Sequence, residues 1–208
     1  ALQSMQAAFS SGGMHRTEHV FAKESKNNDY RESSRQGMNS MVSDLRDVVA
    51  RQKAEHMIKM TQKKTEVRMT IGDNILFESG SANVKPEFFG VLRDIVEVLH
   101  DRPVRIIVEG HADSDGTTEA KNWELSSQRA VAVVNLFRSF RDTEQSGLPY
   151  IDGQQIEAHA RGEFWPADPI EGAAPLNRRV EIVIRGKTLS SLDAVKEVEF
   201  ITGGSRGR

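Results

Sequence analysis

The sequence has no cysteine, which excludes disulfides and thiolate metal sites. It has no apolar run approaching the ~20 residues of a membrane-spanning helix. Proline is scarce at 6, and three of these fall within 164–176, which marks that stretch as a loop. Net charge is only −2, arguing against a general nucleic-acid binder. The charge is uneven: residues 1–64 hold 11 Lys and Arg against 7 Asp and Glu, and the remainder 17 against 23. No signal peptide is visible and the first residue is Ala1, so the chain reads as a fragment or processed product.

With 208 residues there is enough chain for one core-bearing domain plus extensions. Residues 1–37 read as a flexible arm and linker, with a short amphipathic helix over Ala1–Phe9. Residues 38–64 read as an amphipathic helix, its stripe formed by Met38, Met41, Val42, Leu45, Val48 and Val49. That stripe has two available partners, its own domain or a second copy of the chain. Residues 65–200 carry the domain. Val67, Met69 and Ile71 alternate as a first strand. Phe88, Val91, Leu92, Ile95, Val96 and Leu99 repeat at helical spacing after Pro86. Val104–Glu109 predicts a second strand, and Ser126 reads as the N-cap of a helix over about 127–141. Gln155–Ala160 and the alternating Val180, Ile182 and Ile184 predict two more strands. The order β-α-β-α-β-β gives an α+β sandwich, a mixed four-stranded sheet with helices on one face. A last helix over Leu192–Val198 and a disordered tail over 201–208 complete the expectation.

The chemistry concentrates after the second strand, in GHADSDG, then NWELSSQRA, then NRRVEI. Asp113 leaves the strand end. Arg129, expected in the first turn of a helix, would add a bidentate fork to the partial positive charge of the helix N-terminus. Together they suit a zwitterion: Asp113 for an ammonium, Arg129 for a carboxylate. The alternative is an internal Asp–Arg salt bridge that orients the loop.

Gly110-His111-x-Asp113, Leu125-Ser126-x-x-Arg129-Ala130 and Asn177-Arg178-Arg179-Val180-Glu181 resemble, in order and separation, the peptidoglycan-binding domain of the OmpA, Pal and MotB type. The resemblance covers roughly Val67 to Arg185. It implies binding to the diaminopimelate residue of cell-wall stem peptides, with Asp113, Arg129, Asn122, Leu125, Ser126 and Arg178 as site residues. NWELS is similar to the flagellar-stator branch. That branch implies a periplasmic wall anchor, paired copies, a MotA-like membrane partner and an inner-membrane segment outside this chain. An envelope or secretion-system anchor with the same domain is the alternative. Ala112 stands where the family usually has Thr.

Other readings weigh less. His111, Asp113 and Asp115, with His159, do not form a recognised ligand set, so neither a metal nor a cofactor is expected. Nothing marks a nucleophile or an activated water, so no enzyme is expected. Trp123 and Trp165 could stack on sugar rings but read as packing groups. Arg178 and Arg179 point to opposite faces of a strand. Arg178 shares the register of Val180, Ile182 and Ile184 and is assigned to the site, whereas Arg179 is assigned an acidic partner.

Overall fold

The computed structural model describes residues 14–63, 65–78, 80–114, 118–142, 147–167 and 177–186, with side chains from residue 32 onward. The expected helices over Ala1–Phe9 and Leu192–Val198, and the tail, lie outside these residues. The chain divides into two units, 1–39 and 40–208.

Helix α1, Met14–Arg51, accounts for the described part of the first unit and opens the second. Residues 14–37, expected as linker, are therefore helical. They are rich in charged helix formers, contain no proline, and lack the apolar period that announces a helix in sequence. In the second unit the stripe Met41, Val42, Leu45, Val48 and Val49 is buried within the chain itself. Each such side chain contributes about 1.5–3 kcal/mol. Asp44 pairs with Arg102, and Gln52 Nε2 donates to Asp94 Oδ2 at 2.7 Å. The stripe is thus core, and it is not a free seam for a second copy.

The helix ends sooner than expected. Lys53 adopts a left-handed conformation (φ 54°) and Ala54 N donates back to Val49 O at 2.9 Å. Strand β1, Ile58–Lys63, follows, where the sequence suggested continued helix. Only Ile58 of this strand is buried, so its alternation barely registers. Its two lysines suit an exposed sheet edge.

The sheet therefore has five strands in the order β1-β2-β5-β3-β4. The others are β2 (Glu66–Gly72), β3 (Val104–His111), β4 (Ile156–Ala160) and β5 (Arg179–Gly186). Pairing is antiparallel except β3 with β4, so the sheet is mixed. Between β2 and β3 lie α2 (Asp73–Leu76), a 3-10 turn (Pro86–Phe88) and α3 (Phe89–Leu99). Between β3 and β4 lies α4 (Glu119–Ser139).

Register divides the sheet into two unlike faces. Val67, Met69 and Ile71 align with Ile184, Ile182 and Val180, which align in turn with Ile106, Val108 and Gly110. This face is apolar and lies under the helices. Its core is completed by Leu92, Ile95, Val96 and Leu99 of α3 and by Ala130, Val133 and Phe137 of α4. The other face aligns Thr70, Glu181 and Glu109 in one row and Gly72, Arg179 and His111 in the next. Gly110 sets the approach of α4. A Cβ there would stand 2.0 Å from the Ser126 carbonyl oxygen, so only glycine permits this strand–helix contact.

Candidate functional site

Helix α4 begins eight residues before the expected start. Its N-cap is Thr118, whose hydroxyl accepts from Lys121 N at 3.4 Å. Ser126 is mid-helix and fully buried. Its hydroxyl donates to Trp123 O at 3.0 Å and accepts from Gly162 N at 3.2 Å. The serine that resembles a cap is satisfied by the preceding turn and by a distant loop. Arg129 thus sits nearly three turns into the helix, beyond the reach of the helix N-terminus. The expected anion site built from a helix start and Arg129 is corrected accordingly.

Asp113 and Arg129 lie in one charge cluster but do not pair with each other. Arg178 Nη1 bonds Asp113 Oδ2 at 2.6 Å. Arg129 Nη2 lies 2.7 Å from Asp73 Oδ1, its Nε donates to Ser81 O at 3.2 Å, and its guanidinium stands 5.3 Å from the Phe77 ring centre. Asp73 N donates to Arg178 O at 2.9 Å, tying the exit of β2 to the entry of β5. The result is two acids and two guanidiniums at one end of the sheet.

These groups are unequally placed. Arg129 is 2% exposed and Asp113 6%, whereas the Arg178 side chain is 40% exposed. Burial pushes the Asp73 carboxyl up, against the pull of Arg129 and Arg178. Burial likewise lowers Arg129, against the pull of Asp73. Desolvation therefore outweighs attraction in this pair. Arg129 Nη1 and Asp73 Oδ1 are both buried without a hydrogen-bond partner among the described residues. An unfilled donor on a buried guanidinium is costly, and an incoming acceptor relieves it.

Asn122 supports the cluster from α4. Its Nδ2 donates to Asp113 O at 2.8 Å and also to Glu163 Oε2. Leu125 is half-buried one turn before Arg129, and Ser126 is the fully buried tie to Gly162. Of the six predicted residues, Asp113, Arg178 and Arg129 come together as charges, Asn122 holds the Asp113 backbone, and Ser126 is structural. Asp73 was missed in sequence. Its only signal is an acid placed directly after the glycine that ends the first long strand.

The other face of the sheet holds a second charge cluster. Glu109 and Glu181 lie side by side in register, an arrangement that repels. Arg68 Nη1 bridges them, contacting Glu109 at 3.1 Å and also Glu181. Arg179 Nε pairs with Glu181 and Arg161 with Glu109. Arg179 thus takes an acidic partner on the face away from Arg178. Glu109, His111 and Glu181 bring ligand atoms within 4.8 Å of one another, a possible metal triad. The guanidinium of Arg68 already stands between the two carboxylates as their cation, so the donor set fits a metal poorly. Of the residues weighed and set aside as metal ligands in sequence, His111 and Asp113 separate into these two clusters, and Asp115 lies outside the described residues. Burial pushes the His111 imidazole down to about 4, reinforced by Arg179 and opposed by Glu181 and Glu109.

No helix of the described residues is long and apolar enough to cross a membrane. Comparison with known proteins places these features. The Motility protein B of Bacillus subtilis is 29% identical over 154 residues, covering 71% of this chain and 56% of that protein. The chain spans about half the length of the curated relatives it matches. Among solved structures, a protein described as MotB-like from Desulfovibrio vulgaris aligns with a TM-score of 0.61 at 23% identity, covering 77% of this chain and 98% of that one. The cell wall anchor of the T6SS from Pseudomonas aeruginosa aligns with a TM-score of 0.54 at 26% identity, covering 69% and 97%. The OmpA family model matches residues 76–183, which include Asp113, Asn122, Arg129 and Arg178 but neither Asp73 nor β1. More than half of the sequence lies in that match, and the chain belongs to the OmpA family.

Proposed function

We propose that this chain binds peptidoglycan without cleaving it, gripping the zwitterionic end of the stem-peptide diaminopimelate. The observation that carries the reading is the cluster of two acids and two guanidiniums in which Arg129 Nη1 is buried and unfilled. On this reading the ligand ammonium exchanges with Arg178 on Asp113. The ligand carboxylate takes the free donor of Arg129 and the exposed fork of Arg178. Asn122, Leu125 and Ser126 hold the frame. The likeness to Motility protein B supports a periplasmic wall anchor of a flagellar stator. That role brings with it a MotA-like partner, an inner-membrane segment outside this chain, and paired copies whose seam is not the Met41–Val49 stripe. A second reading, an envelope anchor of a secretion system, is favoured by the likeness to the T6SS wall anchor.

The test is co-sedimentation with purified sacculi. Asp113→Asn and Arg178→Ala should each cost about 2–5 kcal/mol of binding, a loss of thirtyfold or more, with unfolding curves unchanged in shape. Wild-type binding by both folded variants would sink the reading.

A further inference from the structure

Six large hydrophobic side chains are exposed among the described residues, and three of them share one place. Trp123 on α4 is 39% exposed, and Phe164 and Trp165 on the loop after β4 are 52% and 59% exposed. Solvated aromatics of this size usually find cover. These are instead held open by a polar frame. Gly162, in the left-handed region (φ 54°), passes so close beneath Trp123 that a Cβ would meet two indole carbons at 3.2 Å. Phe164 stacks on Trp123 with ring centres 5.8 Å apart and planes inclined by 29°. The Arg161 guanidinium stands 5.5 Å from the Trp165 ring centre.

The frame of this shelf is also the frame of the charge cluster. Ala112 N, next to Asp113, donates to Gly162 O at 2.8 Å, and Ser126 Oγ accepts from Gly162 N. Asn122 bonds both Asp113 O and Glu163. Arg179 Nη2 donates to Trp165 O at 3.1 Å. Rings fixed in this way lose little entropy when a ligand lies on them.

We propose that Trp123, Phe164 and Trp165 form a sugar-stacking subsite that takes an N-acetylhexosamine ring of the glycan strand, while the charge cluster takes the stem peptide. The proposal rests on the wall-binding reading and extends it to the carbohydrate. A pyranose offers an apolar C–H face to an aromatic ring and hydroxyl and acetamido groups around its edge. Flat rings bordered by Arg161, Glu163 and the exposed Glu124 match both parts. An apolar peptide or helix would need an aliphatic groove, and the exposed face of α4 nearby carries Glu119, Lys121, Glu124 and Gln128 instead.

The experiment titrates three soluble probes into the protein: a disaccharide tetrapeptide carrying diaminopimelate, the same tetrapeptide without sugar, and chitotetraose. Wild type should bind the glycopeptide about fivefold more tightly than the peptide. The double variant Phe164→Ser/Trp165→Ala, checked by thermal unfolding, should lose that ratio and keep its affinity for the free peptide. Trp123→Phe, which keeps a ring against Gly162, should retain part of the ratio. Equal affinity of wild type for glycopeptide and peptide overturns the proposal, as does a double variant that keeps the ratio. Asp113→Asn separates the two readings. If it leaves peptide binding intact, the stem-peptide reading fails, and the shelf is then judged on chitotetraose, whose binding the double variant must abolish.

Discussion

The two charge clusters, one at the end of the sheet and one on its second, buried face, are both built from acids and guanidiniums and differ in how completely the charges are paired. On the buried face each carboxylate of the Glu109–Glu181 pair has a guanidinium and Arg68 serves both, while the His111 ring nitrogens beside them have no hydrogen-bond partner among the described residues. Glu181 is held below the usual carboxylate range: burial works against it, and Arg179 and Arg68 more than offset this. At the sheet end burial wins over pairing, Asp73 is raised, and a guanidinium nitrogen is left unfilled. Charge alone therefore does not mark a site. Carboxylates that already hold their own guanidiniums resist exchange of partners, whereas a buried guanidinium with an unfilled donor gains by accepting an anionic ligand.

The sharpest way to break this contrast is to remove the bridging cation. Arg68→Ala leaves two adjacent buried carboxylates repelling each other. It should cost about 3–5 kcal/mol of stability by urea unfolding while the folded fraction still binds sacculi. A stability loss below about 1 kcal/mol would show that the Glu109–Glu181 pair does not depend on its bridging cation.

Acidification tests the same face by a different route. His111 has a folded value of about 4 against an ordinary 6.5, so below 6.5 the unfolded chain takes up a proton that the folded chain refuses. Stability is unaffected by this group above pH 6.5 and falls as pH drops from 6.5 towards 4, by about 3 kcal/mol in all. The depressed carboxyl of Glu181 acts in a lower window. Its contribution is complete above 4.5 and is lost only as pH falls further. Unfolding at pH 7.5, 6 and 5 should therefore show a slope that His111→Gln removes. A slope equal in both proteins would assign the effect to other groups.

The smallest expected effect lies at the unsaturated cluster. Asp73→Asn keeps the shape and removes a charge whose ionised form burial already disfavours. Its stability cost should be about 1–3 kcal/mol, less than that of Arg68→Ala because the amide oxygen still accepts from the buried Arg129, and binding to sacculi should not weaken, because Arg129 is released for the ligand. A loss comparable to that of Arg68→Ala would mean the two clusters are alike.

The amphipathic elements were legible in sequence because each has one strong period. Val67–Ile71 and Phe88–Leu99 bury one face apiece, and Val180–Ile184, buried on both, keeps Val180, Ile182 and Ile184 on one side; a face with one character is what periodicity encodes. The three motifs placed Asp113, Arg129 and Arg178 in one neighbourhood through their resemblance to a known domain and not through any period. Elements without an apolar period stayed hidden. Strand β1 buries only Ile58, and the first part of α1 has no apolar stripe, so neither carries a period to read. Ser126 resembles a cap in sequence, but Gly162, thirty-six residues away, satisfies it inside a helix that begins at Thr118.

What the sequence determined by itself is therefore the fold class, the apolar face of the sheet and three of the four charges at its end, Asp113, Arg129 and Arg178. What only the tertiary structure decided is who pairs with whom. Asp113 takes Arg178, Arg129 takes Asp73, and Arg68 neutralises two glutamates that register forces together. Hydrophobic burial depends on the local repeat of side chains, which a linear sequence carries. Ion pairing depends on distances of a few ångströms and on local desolvation, and both arise only after strands far apart in the chain have been brought into register.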